Sequence, residues 1–178
     1  MTVDTDHFIR ASQSLNRLSK ALKSERRLIE SETFLLTAAE ILLSSADLQR
    51  CWGGPFNGQD GRIAILSDLL AKVQPDCFVE TGCFRGISTG WLAEHYKGPI
   101  YTCEIEHMYA IQAMHNTRSH DNVTVVVDDS RAFLANTLSR MPNADSIIFY
   151  LDAHWEHDLP LAEELDIIYD KKPNSVVI

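Results

Sequence analysis

Between residues 7 and 50 the chain has neither glycine nor proline, and nowhere does it hold a run of about eighteen apolar residues. The second absence excludes a transmembrane helix. Its four cysteines, Cys51, Cys77, Cys83 and Cys103, have no metal-ligand spacing, and Cys77 and Cys103 fall within predicted buried strands. Reduced thiols of a cytosolic protein account for them. The opening Met1-Thr2-Val3-Asp4-Thr5-Asp6 is acidic and polar, unlike a secretory signal, so a cytoplasmic location is expected. Repeats and low-complexity segments are also missing. What remains, 178 residues that are 45% hydrophobic and 23% charged, is one globular domain's worth with enough length to bury a sizeable core.

Basic charge is scarce where acid is plentiful. Residues 1–70 carry eight Lys and Arg against nine Asp and Glu, whereas residues 71–178 carry eight against sixteen, so nearly all of the net −9 lies in the second part. Such a field repels phosphate backbones and favours cationic ligands, which argues against a nucleic-acid partner.

The most informative run is Phe78-Val79-Glu80-Thr81-Gly82-Cys83-Phe84-Arg85-Gly86-Ile87-Ser88-Thr89. It reads as a buried strand ending in a carboxylate, a Gly-x-x-x-Gly turn, and a helix entered at a Ser-Thr start. Gly82 and Gly86 allow backbone to approach a ligand. Glu80 sits at the carboxyl end of the strand, where open parallel sheets bind ligands. Twenty-two residues past Gly82, the strand Ile100-Tyr101-Thr102-Cys103 ends in Glu104, well placed to accept hydrogen bonds from ribose hydroxyls. The pair predicts a nucleoside-type cofactor. A dinucleotide site would carry Gly-x-Gly-x-x-Gly, but residue 84 is Phe and a carboxylate precedes the first glycine. Beside a pyrophosphate that carboxylate repels, whereas beside an ammonium or sulfonium it attracts. S-adenosylmethionine is therefore favoured over NAD.

These residues resemble the class I S-adenosylmethionine-dependent methyltransferases, and the likeness extends from about residue 60 to residue 178. Val123-Thr124-Val125-Val126-Val127-Asp128-Asp129-Ser130 is similar to that family's third strand and following turn, which implies that Asp129 and Ser130 border the adenine. Ile147-Ile148-Phe149-Tyr150-Leu151-Asp152-Ala153-His154-Trp155 is similar to its fourth strand and the Asp at the tip. Within the family, the Leu-Asp-Ala-His-Trp run most resembles the catechol O-methyltransferase-like branch, from which it departs by inserting Ala153. The resemblance implies a cofactor site of Glu80, Thr81, Gly82, Cys83, Gly86, Ser88, Glu104, Asp129 and Ser130, and a strand order of 3-2-1-4-5.

Along the chain, residues 7 to about 50 are helical in pattern, with Phe8, Leu15, Leu18, Leu22 and Ile29 at helical spacing. Residues 34–43 are apolar nearly all round and are expected to pack against the sheet domain or a second copy. Lys20, Lys23, Arg26 and Arg27 read as a solvated face. Residues 52–61 are rich in turn formers. They form either a linker or a loop, bearing Trp52, Phe56, Asn57 and Gln59, that closes over cofactor or substrate, with Arg62 in position to hold an anionic group. The expected division is a helical cap and Gly-rich loop over 1–60 and a Rossmann-like cofactor-binding domain over 61–178. In the latter, predicted helices cover 88–96 (Trp91 and Leu92 inward), 108–118 (Ile111 and Met114 on one face), 130–140 and 161–169. Predicted strands alternate with them, Val123–Val127 being buried on both sides. Right-handed crossovers then give an α/β fold with a doubly wound parallel sheet.

Ser175-Val176-Val177-Ile178 starts a fifth strand at the last residues. The resembling family continues with a helix and two further strands, so the expectation is a form truncated at its C-terminal strands. A homo-oligomer through the N-terminal helices or the fifth-strand edge is the other way to cover that edge.

For chemistry, Asp152, His154 and His157 stand out. Methyl transfer asks the protein to position an acceptor and exclude water, and a hydroxyl acceptor must also lose its proton. His154 is the candidate base. Asp152 either orients the methionine ammonium or binds a divalent cation such as Mg, whose other ligands the resemblance places beyond residue 178. His157 reads as simply exposed. The expected activity is O-directed methylation of a small-molecule acceptor, without nucleic acid or membrane. The alternative is a non-catalytic or truncation-inactivated module kept for binding or assembly, and a dehydrogenase is disfavoured by the missing third glycine.

Overall fold

The stretch without helix breakers folds as two long helices, α1 (Thr5–Ser24) and α2 (Leu28–Leu43), hinged at Arg26, whose φ of 64° lies in the left-handed region. This computed structural model describes residues 5–44, 53–141, 144–154 and 158–178. Leu18 and Ile29, expected inward from their spacing, are 43% and 81% exposed. The seam between the helices runs instead through Ser12, Ser19, Leu22, Ser31, Ala38 and Leu42, all buried. Ser19 and Ser31 each donate a hydroxyl to the other's carbonyl, at 2.7 and 2.9 Å, and Ser12 donates to the Ala38 carbonyl at 2.7 Å. Small hydroxyl side chains let the two backbones come close, and each buried hydroxyl finds its partner there.

After a tight turn at Pro55–Gly58, strands and helices alternate: α3 (Asp60–Val73), β1 (Cys77–Thr81), α4 (Ile87–His95), β2 (Ile100–Glu104), α5 (His107–Thr117), β3 (Val123–Val127), α6 (Ser130–Ser139), β4 (Ile147–Leu151), α7 (Leu161–Lys171) and β5 (Val176–Val177). The five strands form one parallel sheet in the order β3-β2-β1-β4-β5. That is the α/β, doubly wound architecture expected from the alternation and the resemblance.

Side chains alternate across the sheet as strand geometry demands. Cys77, Val79, Ile147 and Phe149 face Phe133, Leu134 and Ile168 of α6 and α7. Phe78, Ile100, Ile148 and Tyr150 face Leu66 of α3 and Leu92 of α4. β1 is buried along its whole length, so truncating Phe78, which has no exposed surface, would cost about 3–5 kcal/mol.

Two expectations about burial are corrected. Val123–Val127 is an edge strand, mostly half-buried with Thr124 exposed. Its β-branched run reflects strand propensity rather than cover on both faces. On α5, Met114 is 42% exposed, because the helix buries Met108, Ala110, Gln112, Ala113 and Thr117 instead. Met108 meets Ala38, Ala39 and Leu42 there, which docks the N-terminal hairpin on the sheet layer. No helix among the described residues is long and apolar enough to cross a membrane.

Candidate functional site

All five strands point their carboxyl ends the same way, and there a cleft of about 450 Å³ opens, a size typical of cofactor sites. The tips of β1, β2 and β4, the loop after β3 and the turn before α3 supply its walls. Glu80, Gly82, Cys83, Ser88, Glu104, Asp129, Ser130, Asp152 and His154 all line it. Thr81 and Gly86, expected in the same site, lie behind that surface.

Each carboxylate is held differently. Glu80 is 2% exposed, and Thr89 and Thr102 donate hydroxyls to its Oε2 at 2.5 and 2.8 Å. Burial pushes its pKa up to about 7, against the pull of those two hydroxyls. Glu104 Oε2 accepts the Phe84 N–H and Oε1 the Glu106 N–H, both at 2.9 Å. Burial raises its pKa, offset in part by the Glu106 and Phe84 amides. A carboxylate has about four lone-pair sites, so Glu104 retains capacity for a hydroxyl in the cleft beside these amides. Asp129 caps α6, accepting the Arg131 N–H at 2.9 Å, and its carboxylate pairs with the Arg131 guanidinium at 2.6 Å. The Arg131 side chain holds its pKa down, and the same guanidinium reaches Asp158 across the cleft mouth. Asp152 is raised by burial, against the pull of Arg62 and His154. His154 is exposed, its Nδ1 3.0 Å from the Asp152 carbonyl. Trp52, Trp155 and His157 lie outside the described residues, as does Cys51.

The glycines also make room for neighbouring backbone, and the Ser-Thr pair is engaged inside the fold. A Cβ on Gly82 (φ 73°) would stand 2.7–2.8 Å from the backbone of Asp152 and Ala153, so the residue lets the β1 loop pass under the β4 tip. A Cβ on Gly86 (φ 72°) would meet Ala113 of α5 at 2.9 Å. Helix α4 begins one residue earlier than expected, at Ile87, with no side-chain cap. Ser88 Oγ instead accepts the Phe56 N–H at 2.9 Å and Thr89 is spent on Glu80. The Gly-rich break is therefore tied into the molecule. Phe56 is buried, edge-on to Trp91 and Tyr150 at 5.3 Å, while Gly54 and Asn57 line the cleft.

Sequence reasoning missed several lining residues. Phe84, with φ 51°, packs against Tyr109 with ring centres 4.3 Å apart and planes tilted by 56°, and the Arg85 guanidinium lies over both rings. Ile105, directly after Glu104, is 54% exposed and offers the cleft an apolar face. An apolar residue following the strand-end acid was the available signal. Asp128, Asp158 and Pro160 complete the wall.

The donor set fits an S-adenosylmethionine-type group. Glu80, Glu104, Asp128, Asp129, Asp152 and Asp158 line the cleft, and Arg85 is the only Lys or Arg among the described lining residues. That balance repels a pyrophosphate and suits a cation. Among the described residues no cluster of three or more His, Cys, Asp or Glu is arranged to hold a metal ion.

No protein-family model matches the chain, and no curated protein matches it. Solved structures do match. The O-methyltransferase TomG of Streptomyces achromogenes, involved in tomaymycin synthesis and crystallised with S-adenosylmethionine, is 23% identical with a TM-score of 0.52, over 64% of this chain and 52% of that one. An O-methyltransferase of Bacillus cereus in complex with S-adenosylhomocysteine is 19% identical with a TM-score of 0.52, over 75% and 60%. The N-methyltransferase NodS of Bradyrhizobium japonicum, also with S-adenosylhomocysteine, is 18% identical with a TM-score of 0.52, over 78% and 67%. At these identities the likeness establishes the Rossmann-like fold of such methyltransferases. The chain spans about half to two thirds of the length of these structures.

Proposed function

We propose that the chain binds S-adenosylmethionine and carries the transfer of its methyl group to an oxygen of a small-molecule acceptor. The observation that carries this reading is Glu104. It is a carboxylate fixed by two backbone amides at the β2 tip, in an acidic cleft of cofactor size. In this reading Glu104 accepts the ribose hydroxyls, Ile105 and Tyr109 flank the adenosine end, and Glu80 faces the methionine ammonium. Held by Glu104 and Glu80, the group would supply a methyl carbon activated by a sulfonium for transfer to the acceptor oxygen. His154 takes the acceptor's proton and Asp152 orients the polar groups beside it. The shared fold with methyltransferases crystallised with this cofactor or its product supports the assignment. The acidity of the cleft favours a small acceptor over nucleic acid.

Calorimetric titration of S-adenosylhomocysteine tests the reading, with NAD as control. Saturable binding is expected, weakened by about 1–3 kcal/mol in Glu104→Ala because ribose hydroxyls lose their acceptor. No binding by a folded chain, or an affinity indifferent to Glu104→Ala, would overturn it.

A further inference from the structure

A second cavity, of about 180 Å³, lies between α3 and the tips of β4 and β5, and Asp152 borders both it and the main cleft. Ile65, Leu66, Leu151 and Ile178 form its apolar wall, with Arg62 and Tyr150 as its other polar residues. Arg62 Nη1 donates to the Tyr150 hydroxyl at 2.9 Å. Tyr150 is 5% exposed and its ring is wedged against Phe56, so the phenol fixes where the guanidinium sits. The other guanidinium N–H groups and the phenolic hydrogen remain as donors. Arg62 and Asp152 attract one another, yet no ion pair joins them among the described residues. A cation and a carboxylate thus share one small chamber beside the cofactor cleft without closing on each other.

We propose that this chamber holds the acceptor, and that the acceptor is a small monoanionic hydroxy acid. Its carboxylate is gripped by Arg62 and Tyr150, and its hydroxyl is turned past Asp152 toward the main cleft. This rests on the methyltransferase reading above. The planar Arg fork matches a carboxylate. A dianionic phosphate is disfavoured by Asp152 and by the surplus of acid in this part of the chain. A neutral acceptor would give the planar fork no charged partner of matching geometry. The volume equals about six waters of liquid, room for one ring or branched chain, and the Ile and Leu wall suits an apolar body.

The test titrates 4-hydroxybenzoate and 2-hydroxyisocaproate, each beside its neutral amide, into the chain with and without saturating S-adenosylhomocysteine. Melting temperatures within about 3 °C of the parent serve as the fold control for variants. At least one acid is expected to bind the loaded chain tenfold or more tightly than its amide. Arg62→Gln should erase that preference, Arg62→Lys restore part of it, and Tyr150→Phe weaken it a few-fold, all with unchanged affinity for S-adenosylhomocysteine. Equal binding of acid and amide, a preference that survives Arg62→Gln, or no binding of either acid to the loaded chain would overturn the proposal. Arg62-dependent binding of an acid by a chain that does not take S-adenosylhomocysteine would keep the anion site, and would sink its acceptor role together with the methyltransferase reading.

Discussion

The β1–β2 tip and the α1–α2 hairpin are both held by buried polar side chains, but to different ends. In the hairpin, Ser12, Ser19 and Ser31 bond to backbone carbonyls, and none of its charged residues among those described is buried. At the tip, Glu80 and Glu104 are buried as carboxyl groups and surrounded by hydroxyls and amides that are themselves committed. Hydroxyls satisfied by carbonyls stabilise a helix contact at little cost. Buried carboxylates are costly, with pKa values driven up by desolvation. A fold that tolerates them where strands converge keeps negative charge ready for a cationic ligand.

The largest expected effect breaks the tip outright. Gly82→Ala places a Cβ 2.7–2.8 Å from backbone at a φ of 73°, and urea denaturation should register a loss of about 3 kcal/mol or more. Gly90→Ala is the opposing control: on α4, with nothing within 4 Å of the added Cβ, it should stabilise by about 0.5–1 kcal/mol.

Next comes the charge at Glu80. Its folded pKa of about 7 lies above the 4.5 of a free Glu, so the folded state binds the proton more tightly. Stability from this group is therefore fully present below about pH 4.5 and is lost as pH rises through 7. The change is about 3 kcal/mol. Denaturation of parent and Glu80→Gln at pH 5 and pH 8 should show the difference between them shifting by that amount, the parent gaining at pH 5. The same ionisation predicts that S-adenosylhomocysteine binds more tightly at pH 8 than at pH 6, with proton release measurable in buffers of different ionisation enthalpy. Glu164, buried on α7 with neither oxygen in hydrogen-bond geometry, is raised by burial and adds to the slope in the same direction.

The hairpin should respond more mildly. Ser12→Ala removes the buried Ser12–Ala38 hydrogen bond, while the Ala38 carbonyl stays within helix α2, for about 1 kcal/mol by chemical denaturation. Smallest of all is Lys20→Ala. The Lys20–Glu106 pair spans 2.7 Å between the hairpin and the start of α5, but the lysine is 60% exposed. Its loss should stay below about 0.5 kcal/mol. A larger effect would mean that the hairpin's docking depends on charge rather than on Met108 and the alanines beneath it.

Along the sheet, local pattern and tertiary structure agree because a parallel strand and its crossover helix each announce themselves within a few residues. The apolar run at Phe78–Val79 and the acids Glu80 and Glu104 at strand ends were legible from the pattern itself. Asp129 and Asp152 at their strand ends came from the family resemblance, and the structure brings all four to one cleft. In the hairpin the helices and the packing of 34–43 on the sheet layer were legible. The serines of its seam, Ser12, Ser19 and Ser31, carry no hydrophobic signal, while the conspicuous Leu18 and Ile29 face outward.

By itself the sequence determined that strands and helices alternate, that the strands run parallel, and that Glu80 and Glu104 end two of them, because strand period, turn chemistry and crossover handedness are local or topological rules; the lateral order was what the family resemblance implied. Only the tertiary structure decided what each of those residues is occupied with. It showed that Gly86 makes room for Ala113, that Ser88 and Thr89 serve Phe56 and Glu80, and that Arg62 shares a chamber with Tyr150 and Asp152. Apart from Thr89 and Glu80, which are nine residues apart, these pairs lie tens of residues apart, and a hydrogen bond or a collision between them exists only once the packed layers bring the atoms together.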